Sequence, residues 1–218
     1  MHSSFAILLS ALAIATASPT LAPRACATSF PNSLYTLNSA HPDESLYMPF
    51  SGPFELPQLS LSHQDDAASN AQDNLQYIDF TIPPGSYGCE LKITDQANQL
   101  SFDYNGDTSA SPPALNVQAL FPNAMLGDAT YNNIMNATPP VIAASQWGAL
   151  TLARGAPPMA INSMPCPVAM ADGEHGHAQF VLQFAQTGAG NSTWVLPQWT
   201  EDAAGVQTCN GIYMTYNC

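Results

Sequence analysis

The sequence predicts an all-β protein: an antiparallel β-sandwich of jelly-roll or carbohydrate-binding-module type, pinned by disulfides. Three observations carry that expectation. Nineteen prolines and thirteen glycines interrupt the chain too often for long helices. Between them lie short segments whose apolar and polar residues alternate with the period of a strand. Five cysteines follow an apolar leader, the usage of a domain built for an oxidising compartment.

Taken in order, the chain opens with an apolar run from Phe5 to Ala15, of signal-peptide length and too short to span a bilayer. Ala15-Thr16-Ala17 supplies the small-x-small pattern of a signal-peptidase site. Met1-His2-Ser3-Ser4 departs from the usual pattern in having no Lys or Arg. A second cut after Arg24 is open, and so is an uncut flexible leader. The expected organisation is a signal peptide at 1–17, a propeptide or flexible leader at 18–25 and one sandwich domain at 26–218. No later run is long and apolar enough for a membrane helix, and Tyr216-Asn217-Cys218 lacks the hydrophobic tail of a lipid anchor.

The strands are read from alternation. In the segment from Tyr77 to Ile82, the residues Ile78, Phe80 and Ile82 share one face, while Asp79 and Thr81 take the other. Pro83-Pro84-Gly85 stops it. Cys89, Leu91 and Ile93 line a second strand, and Leu115 and Val117 start a third. Trp147 to Leu152 is a further candidate. Phe180, Leu182 and Phe184 line another strand, and Ile212, Met214 and Tyr216 the last. Residues 61–76 and 103–113 are polar or Pro-rich and read as loops. The expected sandwich has one buried face per sheet.

Charge narrows the function classes. Arg24, Lys92 and Arg154 are the only basic residues against sixteen acids, for a formal net charge of −13. Phosphate recognition needs clustered Lys and Arg, so a nucleic-acid partner is excluded. An anionic membrane surface is disfavoured for the same reason.

Five thiols allow fifteen two-bridge schemes. Cys209 and Cys218 flank the expected final strand. Nine steps of about 3.3 Å would hold their Cα atoms about 30 Å apart, far beyond disulfide reach. The favoured scheme joins Cys89 to Cys166 and Cys26 to Cys218, tying the first strand to the last. Cys209 is then the odd thiol, read as buried and inert in preference to an intermolecular link. In the chain-entropy view each bridge contributes about 4–5 kcal/mol.

Several motifs recur together. They are Ala25-Cys26-Ala27-Thr28-Ser29-Phe30-Pro31, the run from Ile82-Pro83-Pro84-Gly85 to Gly88-Cys89-Glu90-Leu91, Thr130-Tyr131-Asn132-Asn133, Ile161-Asn162-Ser163-Met164-Pro165-Cys166-Pro167 and the ending Gly211-Ile212-Tyr213-Met214-Thr215-Tyr216-Asn217-Cys218. With them, essentially the whole mature chain resembles the fungal secreted family labelled ubiquitin-three-binding-protein (But-two) C-terminal domain. The resemblance implies a compact all-β domain with buried disulfides, a fungal source and no established catalytic chemistry. Its label implies ubiquitin-pathway binding, which an exported chain would not ordinarily encounter. Thr130-Tyr131-Asn132-Asn133 also resembles a Thr-Trp-Asn-Asn element of bacterial wall-associated sandwich modules, which implies association with a polymer or wall.

Candidate sites are few. Asn136-Ala137-Thr138 and Asn191-Ser192-Thr193 are N-glycosylation sequons, the second in the more open turn. Asp172-Gly173-Glu174-His175-Gly176-His177 gathers acids and imidazoles, with His175 and His177 as weak metal ligands, but a solvated Gly-rich loop is the favoured reading. Asp103-Tyr104-Asn105-Gly106-Asp107 superficially resembles a calcium loop. Its glycine is misplaced and Ala114 stands where a bidentate Glu is needed, so an Asn-Gly turn explains it better. Asp65, Asp66, Glu201 and Asp202 could supply a carboxylate pair for glycoside cleavage, yet sixteen acids make such a pair unavoidable. No Gly-x-Ser-x-Gly elbow occurs.

Trp147, Trp194 and Trp199 are the candidate glycan platform, weighed against the commoner role of tryptophan as core. The expected protein is therefore secreted and non-catalytic, needs no cofactor or metal, and acts at the wall or outside the cell as a binding or structural component. A glycan is the candidate partner. A secreted polysaccharide-active hydrolase is the alternative.

Overall fold

A computed structural model of the chain describes residues 26–47, 57–65, 71–104, 107, 111–125, 127–171, 174–186, 190–201 and 207–218. The expected signal peptide and the leader at 18–25 lie outside the described residues. In chain order the strands are β1 (Ala27–Ser29), β2 (Ser33–Asn38), β3 (Leu46–Tyr47), β4 (Gln58–Gln64), β5 (Gln72–Ile82), β6 (Cys89–Thr94), β7 (Ser101–Tyr104) and β8 (Leu115–Leu120). One helical turn, α1 (Tyr131–Ile134), precedes β9 (Ile142–Leu150), β10 (Met159–Met164), β11 (Gly176–Phe184), β12 (Ser192–Pro197), β13 (Trp199–Glu201) and β14 (Gln207–Tyr216).

Two antiparallel sheets pack face to face. The smaller runs β1-β14-β6-β10, with β13 beside β14. The larger runs β7-β12-β4-β5-β11-β8-β9, with β2 on the other side of β5 and β3 beyond it. Their inner faces form the main core. Ile78, Phe80 and Ile82 of β5 and Phe180 and Leu182 of β11 meet Leu91 and Ile93 of β6 and Ile212 and Met214 of β14, all fully buried. The strand alternation points these residues inward, so the expected sandwich and its inward faces are what folds.

The larger sheet has a second buried face, which the alternation did not anticipate. The β8–β9 connection carries α1 across its outside, burying Leu37, Leu75, Tyr77 and Val181 against Ala129 and Ile134. The centre of β5 is therefore buried on both sides, and Asp79, expected to face water, is only 6% exposed. The covering segment is held by Thr130, the N-cap of α1, whose hydroxyl accepts from the Asn133 amide at 3.1 Å. Asn132 Nδ2 donates to Asp43 at 2.7 Å and its backbone N–H to the Pro42 carbonyl at 2.9 Å, tying the covering segment to the turn after β2. Thr130-Tyr131-Asn132-Asn133 is thus a capped helical turn that fastens the outer layer.

The two expected loops are corrected as well. Residues 61–64 complete β4 and 72–76 begin β5, while 101–104 form β7. In β4, Leu59, Leu61 and His63 are buried between half-buried serines, so the alternation is present but carried by Ser, Gln and His. The strand expected at Trp147 to Leu152 starts earlier, at Ile142, and ends at Leu150. Around the expected Asn-Gly turn, Tyr104 and Asp107 exchange backbone hydrogen bonds, while Asn105 and Gly106 lie outside the described residues.

Cys26 is bonded to Cys218 with Cα atoms 4.7 Å apart, and Cys89 to Cys166 at 5.0 Å. Each bridge follows from strand pairing. Ala27 opposes Tyr216 at the end of β1–β14, and Cys89 opposes Met164 in β6–β10. Cys209 is free and lies inside β14, which begins at Gln207 and not at Gly211 as expected. Burial pushes its thiol pKa up to about 12.

Buried amides stitch the layers where strands part. Gln76 Nε2 donates to the Tyr35 carbonyl and its Oε1 accepts from the Ser60 amide, both at 3.0 Å, where β4 departs from β5. Gln198 plays the same part for β14: Nε2 donates to the Ile212 carbonyl at 3.0 Å and Oε1 accepts from the Ile212 amide at 2.8 Å. Both side chains are fully buried, so each substitutes for a missing length of β-ladder.

Candidate functional site

A cleft of about 530 Å³ opens on the outer face of the larger sheet, beside the α1 layer. Its floor is set by register. Ser33 of β2 and Gln179 of β11 flank Asp79 of β5, Tyr35 flanks Tyr77, and His177 flanks Thr81. Successive outward positions of three neighbouring strands thus present Ser33 and Tyr35, then Tyr77, Asp79 and Thr81, then His177. One wall is the β8–α1 segment with Met125, Gly127 and Asp128; the other is the β10–β11 connection with Met170, Glu174 and His175.

The walls are tied to the floor by side chains that mimic backbone. Asn123, at φ 60°, accepts from the His177 amide at 2.7 Å and donates from Nδ2 to the Val168 carbonyl at 3.0 Å. It therefore clamps both walls to β11. Gln179 Oε1 accepts from the Met125 amide at 3.0 Å and Gln179 Nε2 donates to the Met125 carbonyl. Gly176 completes the construction, because a Cβ there would stand 2.3 Å from the Pro167 carbonyl oxygen. Only glycine lets the second wall lie this close to the first residue of β11.

At the centre, His177 Nδ1 lies 3.0 and 3.1 Å from the two oxygens of Asp79. An ionised carboxylate only accepts, so against ionised Asp79 it is Nδ1 that donates in this contact. Burial raises the Asp79 pKa above the ordinary carboxylate value. Hydrogen bonding and charge from His177, with further hydrogen bonds from Gln179 and Asn32, work against that rise. Burial first, and then the charge of Asp128, raises the Tyr35 hydroxyl above its ordinary pKa. The Tyr35 ring sits 6.0 Å from Tyr77 and 5.1 Å from the exposed Tyr47. A short aromatic row thus leads outward from the cleft.

This cleft gathers residues that the sequence reading did not connect. His177, expected in a solvated loop with His175, is the second residue of β11 and is bonded to Asp79. His175 remains exposed in the wall. Asp172 and Gly173 lie outside the described residues, and no group of three His, Cys, Asp or Glu among the described residues is placed to hold a metal. Asp79, Tyr35 and Asp128 were not singled out. The signal for Asp79 is that large apolar residues flank it on both alternating faces of β5, Leu75 and Tyr77 on its own side and Ile78 and Phe80 on the other, which is unusual for a half-exposed strand.

The tryptophans form no common platform. Trp194 is fully buried in the main core. Trp147 packs partly buried against that core, its ring 4.9 Å from Phe180. Trp199 is half-buried on β13, donating from Nε1 to Gln99 Oε1 at 3.0 Å. Asp65 is exposed at the end of β4, away from the cleft lining. Asp66, Asp202 and the Glu201 side chain lie outside the described residues. Asn136 and Asn191 are both exposed, as a glycosylation acceptor must be.

No family model, no curated protein and no solved structure matches the chain.

Proposed function

We propose that the protein is an exported, non-catalytic component of the cell wall or extracellular space that binds polysaccharide in the cleft over Asp79 and His177. The observation that supports this reading is the cleft itself. It is preformed, about 530 Å³ in volume, and within the usual range for a small-ligand site. Tyr35 offers a ring for stacking on sugar C–H groups. Asp128, Glu174, Ser33 and His177 Nε2 offer acceptors and donors for hydroxyls. The two disulfides suit an oxidising exterior. The family resemblance of the sequence, which brings no catalytic expectation, agrees with the binding role. The cleft replaces the tryptophans as the expected contact surface.

A second reading, a polysaccharide-active hydrolase, is favoured by one observation. Asp79 orients His177 so that its Nε2, with no hydrogen bond from a described residue, is available as a general base. Retention on chitin, glucan and mannan, with release of reducing sugar measured in parallel, separates the readings. Binding without release, weakened in Tyr35→Ala but not in Trp199→Ala, is the expected outcome. Sugar release abolished in His177→Ala would establish the hydrolase instead. Failure to bind any of the three polymers removes the proposal.

A further inference from the structure

We infer a second glycan site at the other end of the larger sheet, one that takes a neutral, hydroxyl-rich saccharide. It shares no lining residue with the cleft over Asp79 and stands independently of how that cleft is read. A cavity of about 470 Å³ lies over β8 and β9. Backbone bonding fixes its walls: the Ala185 N–H donates to the Ala114 carbonyl at 2.9 Å, carrying the β8–β11 ladder one pair past Leu115 and Phe184. Residues 111–114, stiffened by Pro112 and Pro113, form one wall, and Ala185 and Gln186 form the other. Tyr104, at the end of β7, completes the lining with its hydroxyl 3.5 Å from the Gln186 carbonyl. Along β11, eight steps of about 3.3 Å put Ala185 about 26 Å from His177 of the first cleft.

A bulge shapes the floor. Gly148 opposes Val117 and Ala144 opposes Ala119, so Ser145, Gln146 and Trp147 stand opposite Gln118 alone. Such an insertion re-aims side chains. Here Trp147 packs against the main core, while Gln146 lines the cavity with Asn116. Among the described residues, the side chains of Asn116, Gln146 and Gln186 have no hydrogen-bond partner. Gln118, on the same face of β8 as Asn116, is 6% exposed, and its Oε1 also lacks a partner among the described residues. A primary amide both donates and accepts, as a sugar hydroxyl does, so uncommitted amides beside a tyrosine ring match the edge and the face of a saccharide. No charged residue lines the cavity, and none stands in the sequence between Asp107 and Asp128. A uronate would find no cation here, and the net charge of −13 would repel it. The first cleft, with its carboxylates and imidazoles, has a different chemistry.

The test titrates isotope-labelled, disulfide-intact protein with three probes, the β-1,3- and β-1,4-linked glucose hexamers and a galacturonate hexamer, and follows the amide resonances. The side-chain amides of Asn116, Gln146 and Gln186 should shift with at least one neutral hexamer and stay still with the uronate. Gln146→Ala and Gln186→Ala, at exposed positions, should each weaken that binding about three- to tenfold, the loss of one hydrogen bond. Neutral-hexamer affinity unchanged in both variants overturns the assignment. Shifts confined to Ser33, His177 and their neighbours overturn the second site and leave the first cleft standing. No response of the three amides to either neutral hexamer also overturns the second site, while the first cleft is judged by its own resonances. An equal response to the uronate overturns the neutral class.

Discussion

Gly176→Ala is the sharpest test of how the cleft is built. The new Cβ would lie 2.3 Å from the Pro167 carbonyl oxygen, 2.8 Å from its carbon and 3.2 Å from the Pro167 Cβ. Two of these atoms are backbone, and the third belongs to a rigid ring. Relief must therefore come from moving the β10–β11 connection away from β11 or from breaking the Gly176–Ile82 pairing. Overpacking of this severity costs about 3 kcal/mol. For a domain of this size that lowers Tm by about 6–12 °C. The same displacement shifts Glu174, His175 and Met170 relative to the floor, so glycan affinity should fall together with stability. Gly127→Ala, in the opposite wall, is the control: nothing lies within 4 Å of its added Cβ. It should change stability by less than about 0.5 kcal/mol. Thermal unfolding and titration of both variants check the reasoning, and a Gly176→Ala protein with unchanged Tm and affinity would refute it.

Other expectations follow from single groups. Gln198→Ala leaves the amide and carbonyl of Ile212 buried without their partners and should cost about 2–4 kcal/mol by denaturant unfolding; a cost below about 0.5 kcal/mol would mean water substitutes there. Cys209, with its pKa raised to about 12, should be alkylated at pH 8 about a thousandfold more slowly than an ordinary thiol, judged by thiolate fraction alone. Because its folded pKa lies above the ordinary 9.0, its contribution to stability is full below pH 9 and lost as pH rises toward 12. Relative to the wild type, Cys209→Ala should therefore lose less stability across that alkaline window, and parallel curves would contradict the assignment. Replacing Cys89 and Cys166 together by alanine opens a link of sequence separation 77 and should cost about 4–5 kcal/mol in the chain-entropy view; non-reducing peptide mapping of the wild type should recover the Cys26–Cys218 and Cys89–Cys166 peptides.

The inward positions of the central strands were legible because alternation is a local property. Ile78, Phe80 and Ile82 are apolar at every second residue whatever they pack against, and so are Phe180, Leu182 and Phe184. The cysteine pairing was legible for a related reason, since an extended segment cannot fold its ends together. β4 was missed because Ser60, Ser62 and His63 have the composition of a loop, although Leu59 and Leu61 keep the strand period. Asp79 was misjudged because alternation assigns a residue to a face without telling whether that face is covered.

By itself, then, the sequence determined the all-β class, the inner faces of the central strands and the thiol left out of the bridges. These follow from periodicity and chain stiffness, which act over a few residues. The tertiary structure alone decided that the outer sheet face is half covered, that Trp194 is core, and that Asp79 meets His177 beside Tyr35 and Asp128. Those groups come from β2, β5, the β8–α1 segment and β11, and only the pairing of distant strands brings them together. Register is set by the summed burial of whole faces, so no local pattern around any one of these residues could announce the cleft they form.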